Sequence, residues 1–392
     1  MTFKLTFVIN HAAFFVSHRL PIALQARQNG SEVSLITGQA GSANMEAEAE
    51  RTLKRQRIHH KRVAFRASSV NPALELRGLW QLARLLRTER PDVVHCASPK
   101  GVLYGGIVAR CTGVPALVLA VSGMGYAFTE SATDKLARRV VSAIYRVLAR
   151  LAFAHPNKRV IVQNDTDRQF LIASGLATAD EITLIPGSGV DLADFSDMAS
   201  DAKQNMVLLP ARMLIDKGVI EFAEAARRLR TLAPDWRFVL AGAADYQNPS
   251  NVPRTEIETW QREGIIEWFD HVEDMLPLYR QAAIVCLPSY REGMPKSLLE
   301  AAAAGCAVVT TDTTGCREAI IAGETGDLVS VRDSQALTDA LLALIQDSER
   351  RERYGRAGKM MADRRFSIRS VIDDTLEIYR ELLRSGKSRA TQ

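Results

Sequence analysis

Glu292 and Glu300 stand eight residues apart in the stretch LPSYREGMPKSLLEAAAAGCAVVTTDTTGCREAI, residues 287–320. The pattern predicts a strand ending at Pro288, a short loop carrying Glu292 and Gly293, and a helix with Pro295 in its first turn and Gly305 at its close. Gly293 lets a ligand approach the backbone closely, and the free N–H groups of the helix start attract an anion. Spacing alone carries no signal, because chance supplies such glutamate pairs in a chain of this length. Eight residues of helix rise about 12 Å, beyond the ~5 to 9.5 Å between the two carboxylates of a glycoside hydrolase. An elongated ligand fits better: Glu292 accepts hydrogen bonds from sugar hydroxyls, Glu300 holds ribose hydroxyls, and a diphosphate lies between them near the helix start. Met294, Pro295, Ser297 and Leu298 belong to the same turn and are candidate ligand contacts.

Two cations, Arg212 and Lys217, occupy PARMLIDKG, residues 210–218, where another strand passes into a helix. Taken alone they read as surface charges, but cations at a helix start oppose its dipole, so an anionic ligand explains them better. Gly242 turns the chain after the next strand, in VLAGAAD at 239–245. Earlier in the chain, His95 ends a strand and is a candidate for a hydrogen-bonding or proton role, with a structural histidine as the equal alternative. Lys100 follows it and is a candidate for an acceptor phosphate, against plain surface solvation. Ser17 caps a helix whose first turn tolerates Pro21, and His18 lies beside it. Gly123 and Gly125 lack the spacing of a dinucleotide loop and shape the floor of the site instead. Asp165-Thr166-Asp167 has the form of a metal-binding pair, yet Asp165 reads as a helix N-cap, so no metal site is expected.

These residues need a scaffold of βα units, and apolar runs do alternate with 3.6-period stretches almost from end to end. The expected strands are Leu5–Asn10, Glu32–Gly38, Arg62–Arg66, Asp92–Ala97, Ala116–Ser122, Arg159–Asn164 and Ile182–Pro186, then Met206–Ala211, Arg237–Gly242, Ile265–Phe269, Ile284–Pro288, Ala307–Thr311 and Asp327–Val331. Between the two series, residues 187–205 are small and polar, as in a linker. Residues 1–190 are therefore expected to form one Rossmann-like domain and 203–365 another. Residues 366–392 are expected to form a helix returning to the first. Two such α/β domains facing each other leave a cleft where the carboxyl ends of their strands meet, and the site is expected there.

The composition, 392 residues with 47% hydrophobic and 24% charged, excludes fibrous and disordered classes. Charges interrupt every long apolar run, so no membrane-spanning helix is expected. The amino-terminal alternation Phe3, Leu5, Phe7, Ile9 reads as a strand rather than a signal peptide, which places the protein in the cytoplasm. Five cysteines without a C-x-x-C pair suit reduced thiols. The net charge is +5, and two blocks are strongly basic: Arg51–Arg66 has seven basic residues and no acid, and Asp134–Arg159 has seven against one aspartate. The second block contains a helix, 135–153, with Leu136, Val140, Ile144, Val147 and Leu151 on one face and Lys135, Arg139, Arg146 and Arg150 on another. Such a helix packs on a sheet or lies on anionic lipid; peripheral contact with the inner membrane face is the expectation carried forward. Nucleic acid is excluded as a partner, because no recognition motif is present and aromatics are not interleaved with the basic blocks.

The run E-G-M-P-K-S-L-L-E-A-x-A-x-G-x-x-V-V-x-T-D resembles the E-x7-E signature of the retaining glycosyltransferases of family 4, whose fold is the two-domain GT-B. PARMLIDKG, VLAGAAD and IPGSGVD at 185–191 resemble further motifs of that family. FFVSHRLPIA, VVHCASPKGVLYGGIVAR and SGMGYAFT resemble its subgroup that builds bacterial surface polysaccharides or lipid-linked glycans. The resemblance implies a nucleotide diphosphate sugar donor, UDP-linked by expectation, held without a metal. Arg212 and Lys217 would meet the diphosphate, Glu292 the sugar and Glu300 the ribose. It further implies transfer of a hexose or N-acetylhexosamine to a polyprenyl-diphosphate-linked saccharide. A sugar-nucleotide epimerase of the same shape and a non-catalytic nucleotide-binding partner subunit are the rival readings.

Overall fold

The computed structural model describes the chain except residues 1, 40–42, 67–70, 124–134, 201–202, 246–247 and 390–392. It divides into two units, one of Met1–Ile185 with Val371–Gln392, the other Pro186–Ser370.

In the first unit the chain runs β1 (Lys4–Ile9), α1 (Ala12–His18), α2 (Leu20–Gln28), β2 (Glu32–Gln39), α3 (Ala43–Arg55), β3 (His59–Arg66), α4 (Pro72–Glu89), β4 (Val93–Ala97), α5 (Pro99–Thr112), β5 (Ala116–Val121), α6 (Lys135–Ala152), β6 (Lys158–Val162), α7 (Asp165–Ala173) and β7 (Ile182–Leu184). These strands form a seven-stranded parallel sheet in the order β3-β2-β1-β4-β5-β6-β7. Helices cover both faces, so central strands read as unbroken apolar runs; all six residues of β5, ALVLAV, are buried. Because β2 and β3 lie on one side of β1 while β4 lies on the other, the topological switch falls between β1 and β4.

The second unit repeats the plan with β8 (Gln204–Pro210), α8 (Val219–Leu229), β9 (Arg237–Ala241), α9 (Arg254–Arg262), β10 (Glu267–Phe269), α10 (Leu276–Gln281), β11 (Ala282–Leu287), α11 (Lys296–Ala303), β12 (Ala307–Thr311), β13 (Gly326–Val329), α12 (Ser334–Gln346) and α13 (Ser348–Arg365). Its six parallel strands run β10-β9-β8-β11-β12-β13, and the switch falls between β8 and β11. The stretch read from sequence as a linker belongs to this unit. Val190 bridges Ser367, and Phe195 is buried in the same apolar cluster as Tyr279.

The last helix, α14 (Ile368–Arg389), carries Val371, Leu376, Ile378, Tyr379 and Leu382 into the core of the first unit beside Phe7, Val93 and Val118. On the opposite face of that sheet, α4, α5 and α6 share one core. Of the two placements the sequence allowed for its Ile144–Leu151 face, α6 leaves that face off the sheet. Leu148, Ala149 and Ala152 pack inward, whereas Ile144, Val147 and Leu151 are exposed beside exposed Arg146 and Arg150. The sheet side is taken by a second apolar face, Tyr145, Leu148, Ala149 and Ala152, which the sequence reading did not single out. The side chains of Lys135, Leu136, Arg139 and Val140 lie outside the described residues.

Candidate active site

The switch point of the second sheet brings together the two loops singled out by sequence. β8 ends at Pro210, and the chain turns through Arg212 into a short 3₁₀ turn, Ile215–Lys217, that Gly218 closes in the left-handed region at φ +72°. A Cβ on Gly218 would stand 2.2 Å from the carbonyl oxygen of Pro288, so this turn presses on the end of β11. The contact is tied by Tyr290, whose N–H donates to the Asp216 carbonyl at 2.9 Å. Gly242 serves the neighbouring strand end in the same way, with space for a Cβ only 2.1 Å from the Ala211 oxygen.

This packing seats the Lys217 ammonium on Oε1 of Glu292, with the side chains 22% and 13% exposed. Arg212, half open to solvent, donates to Asp245 Oδ2 at 2.7 Å. Glu292 is fixed from behind: its N–H donates to the Thr314 carbonyl at 3.2 Å, and Gly315 runs so close that a Cβ there would lie 2.5 Å from the Glu292 oxygen. Thr313–Gly315 thus form the back wall, a role that sequence reasoning missed. A glycine just past a strand end was the available signal. Cys316 sits behind that wall with its thiol pushed up to about 11, first by burial and then by the Glu292 charge. It stays a neutral packing group.

The helix α11 begins after Pro295, one residue later than expected, and no side chain caps its first turn. Its unpaired N–H groups point to where an anion is favoured. Gly305 closes α11 as expected, in the left-handed region, with Cys306 N–H donating to Ala301 and Gly305 N–H to Ala302. One turn in, Glu300 is held at both oxygens: Tyr279 donates to Oε2 at 3.0 Å and Lys296 lies 3.3 Å from Oε1. Burial and then the Glu300 charge raise the Tyr279 phenol well above its ordinary value, so it remains a donor. Met294 and Leu298 turn their side chains into the core, which leaves only their backbone for a ligand. Gly293 and Ser297 are half-buried at the same turn.

The first unit gives a different picture. His95 does not end its strand. It is the middle residue of β4, paired in register with Phe7 and 1% exposed, with Tyr379 of α14 at 2.6 Å from Nδ1. Strand alternation turns it toward α14 rather than toward the carboxyl ends, and burial followed by the nearby Arg19 charge holds it neutral. The proton role expected of it is corrected to a core role. Arg19, which sequence reasoning passed over, is itself buried there, its pKa lowered to about 10 mainly by burial.

Ser17 is exposed within α1 and caps nothing; the helix with Pro21 in its first turn, α2, starts after Arg19 without a side-chain cap, while α1 is capped by His11, whose Nδ1 accepts from Phe14 N–H at 3.2 Å. The His18 ring stacks on Phe14 at 4.3 Å. Lys100 is engaged by Glu75 at 2.8 Å, with the side chains only 15% and 11% exposed. Gly123 lies just past β5 at φ +101°, and Gly125 falls outside the described residues. The cap of α7 is Asn164, not Asp165: its side chain accepts from Asp167 N–H, and Asp165 is the first helical residue.

Comparisons with known proteins place both units of the chain. Residues 192–361 match the family described as Glycosyl transferases group 1, and residues 18–187 match the Glycosyl transferase 4-like domain. The chain is 28% identical over 360 residues to the N,N'-diacetylbacillosaminyl-diphospho-undecaprenol alpha-1,3-N-acetylgalactosaminyltransferase of Campylobacter jejuni, covering 88% of this chain and 90% of that one. It is 30% identical to the alpha-maltose-1-phosphate synthase of Mycolicibacterium smegmatis, over 75% of this chain and 80% of that one. Among solved structures, Anabaena HepE in complex with UDP and glucose superposes with a TM-score of 0.72 at 18% identity, over 96% of this chain and 98% of that chain.

Proposed function

The chain belongs to the group 1 glycosyl transferases, with the GT-B fold, and from that membership we propose that it moves a hexose or N-acetylhexosamine from a UDP-sugar to a polyprenyl-diphosphate-linked saccharide with retention. The observation that carries this reading is the Lys217–Glu292 pair beside the uncapped start of α11, at the β8/β11 switch point. A cation and a helix start together take a diphosphate, and a carboxylate next to them takes the hydroxyls of the attached sugar. The lipid-linked substrate named for the Campylobacter relative and the UDP of the Anabaena structure support the choice of acceptor and donor.

In the proposed reaction the bond from the anomeric carbon to the diphosphate oxygen breaks as the acceptor hydroxyl oxygen bonds on the same face. The acceptor proton passes to a leaving phosphate oxygen. Negative charge gathers on the diphosphate and positive charge on the sugar, so Lys217 and Arg212 bind the transition state more tightly than the ground state. Lys217 meets Glu292 until a phosphate oxygen takes its place, which frees the carboxylate for the sugar. No metal is required in this scheme, since the two cations neutralise the leaving group.

The test is thermal unfolding with UDP, GDP, ADP and their sugar conjugates, with and without EDTA. Ligand at 100 times its dissociation constant adds about 2.7 kcal/mol. A shift from the uridine series that survives EDTA is expected; a shift that EDTA abolishes would overturn the metal-free scheme, and a shift from another base alone would overturn UDP.

Glu300 is proposed to hold the ribose hydroxyls, with Tyr279 fixing its carboxylate. Tyr279→Phe removes one hydrogen bond to a charged group and is expected to weaken UDP binding about tenfold, near the lower end of the ~1.5–3 kcal/mol such bonds contribute. Titration calorimetry measures it, and an unchanged dissociation constant would free Glu300 of that dependence.

The protein is further proposed to act at the cytoplasmic face of the membrane by peripheral contact. The support is α6, which has no acidic residue and exposes Ile144, Val147 and Leu151 beside Arg146 and Arg150. No helix among the described residues is long and apolar enough to cross a membrane.

A further inference from the structure

We propose that α4 is a second lipid contact, its Leu76–Trp80 face seated at the headgroup boundary of an anionic bilayer; the inference rests on the peripheral reading of α6. Leu76 is 67% and Trp80 63% exposed, one helical turn apart. Exposed Arg77, Arg84 and Arg87 share their face, and the Arg84 guanidinium lies 5.9 Å from the centre of the Trp80 ring. The acids of the helix do not reach it: Glu75 is buried on Lys100, and Glu89 pairs with Lys61 at 2.9 Å.

The outward pose is not an accident of loose packing. Leu82 and Leu86 are buried, Gln81 accepts from Ala64 N–H at 2.8 Å, and a Cβ on Gly78 would stand 2.9 Å from the Phe65 nitrogen. α4 is therefore clamped on β3 with its apolar and arginine face away from the sheet. α5 lies between α4 and α6 with its middle, Gly101–Ala109, free of exposed residues, so the exposed faces of α4 and α6 flank it on one side of the sheet.

Charge decides the occupant. Arginines around a leucine and a tryptophan, with no exposed acid, complement phosphate headgroups above an apolar layer, and a tryptophan with one wet edge suits that boundary. By contrast the first basic block, Arg51–Arg66, begins on α3, whose Ala49 and Leu53 pack in the core on the other face of the sheet, so exposed Arg51, Lys54 and Arg55 lie away from this surface. Its Arg62 pairs with Glu46 and Glu50, and its Lys61 with Glu89.

Trp80 is the sole tryptophan of its unit, the others being Trp236, Trp260 and Trp268 of the second unit, which makes it a built-in reporter. The full chain is mixed with vesicles of phosphatidylcholine and phosphatidylglycerol whose acyl chains are brominated. Emission should be quenched on binding, the quenching should disappear in Trp80→Phe while binding persists, and Leu76→Asp with Trp80→Asp should lower partitioning about tenfold. Exposed positions leave the fold intact, which the unfolding midpoint checks. Bound protein with unquenched emission, or equal quenching in Trp80→Phe, overturns the role of α4 and leaves that of α6 standing. Wild-type protein that ignores anionic vesicles overturns both. A lipid-free dimer lost in Trp80→Asp also overturns the inference, because that face then belongs to a second copy.

Discussion

Replacing Lys217 by alanine is expected to lower the rate of sugar transfer about 10²- to 10³-fold while shifting the unfolding midpoint little. Lys217 ends a 3₁₀ turn held on the end of β11, so its ammonium is delivered to a fixed place with 22% of its side chain exposed. A cation positioned in advance needs no reorganisation as the leaving diphosphate gains charge, and partial burial strengthens the interaction over its value in water. The loss should fall on kcat more than on KM, because the charge it meets is largest in the transition state. Stability changes little, since a partly exposed ion pair contributes only about 0–1 kcal/mol and Glu292 keeps access to water. Steady-state kinetics with donor and lipid-linked acceptor, paired with thermal unfolding, measures both. Turnover near that of the wild type would remove Lys217 from the chemistry and, with it, the reading of the Lys217–Glu292 pair.

The contrast between the two units explains how far the sequence could be read. In the second unit the donor loops were legible because glycine and proline announce them: Gly218, Gly242 and Gly305 take positive φ where the pattern placed turns. Parallel strands buried on both faces were equally plain, since β11 is apolar throughout and β12 departs from that only at its terminal Thr310 and Thr311. What failed in the first unit were judgements of one residue. The strand end at Ala97 was read correctly, but His95 stands two residues short of it, in the middle of β4, and alternation turns it inward. Caps slipped similarly: Ser17 lies inside α1 while Arg19 precedes α2, and Asn164 serves where Asp165 was expected. A capping side chain is chosen by where the backbone leaves the helical region, and neighbouring serine, aspartate and asparagine are nearly equivalent for the task. Nor could tertiary partners be read: Glu75 for Lys100 and Tyr279 for Glu300 come from helices 25 and 21 residues away. The orientation of α6 needed the sheet itself, which takes the second apolar face that the sequence reading did not single out.

Gly218→Ala should do what Lys217→Ala does and more, because it strikes the support rather than the charge. The left-handed backbone at φ +72° strains any residue with a Cβ, by about 1–2 kcal/mol. That Cβ would also stand 2.2 Å from the Pro288 oxygen, a backbone atom that moves only if the end of β11 moves. Overpacking of this kind adds about 1–3 kcal/mol, so the second unit should lose about 2–5 kcal/mol in all, or roughly 5–20 °C in its unfolding midpoint. The displacement separates the two strand ends across which Tyr290 N–H meets the Asp216 oxygen, and it draws the adjacent Lys217 off Glu292. Transfer should therefore fall with stability, even at temperatures where the variant is fully folded. Gly264 supplies the control: it has φ +67° in the same unit, and nothing lies within 4 Å of where its Cβ would be. Gly264→Ala carries the backbone strain without the collision, so it should unfold only slightly earlier and transfer at the wild-type rate. If both alanine variants behaved alike, the close approach of the β8 turn to Pro288 would not be what holds Lys217 in place.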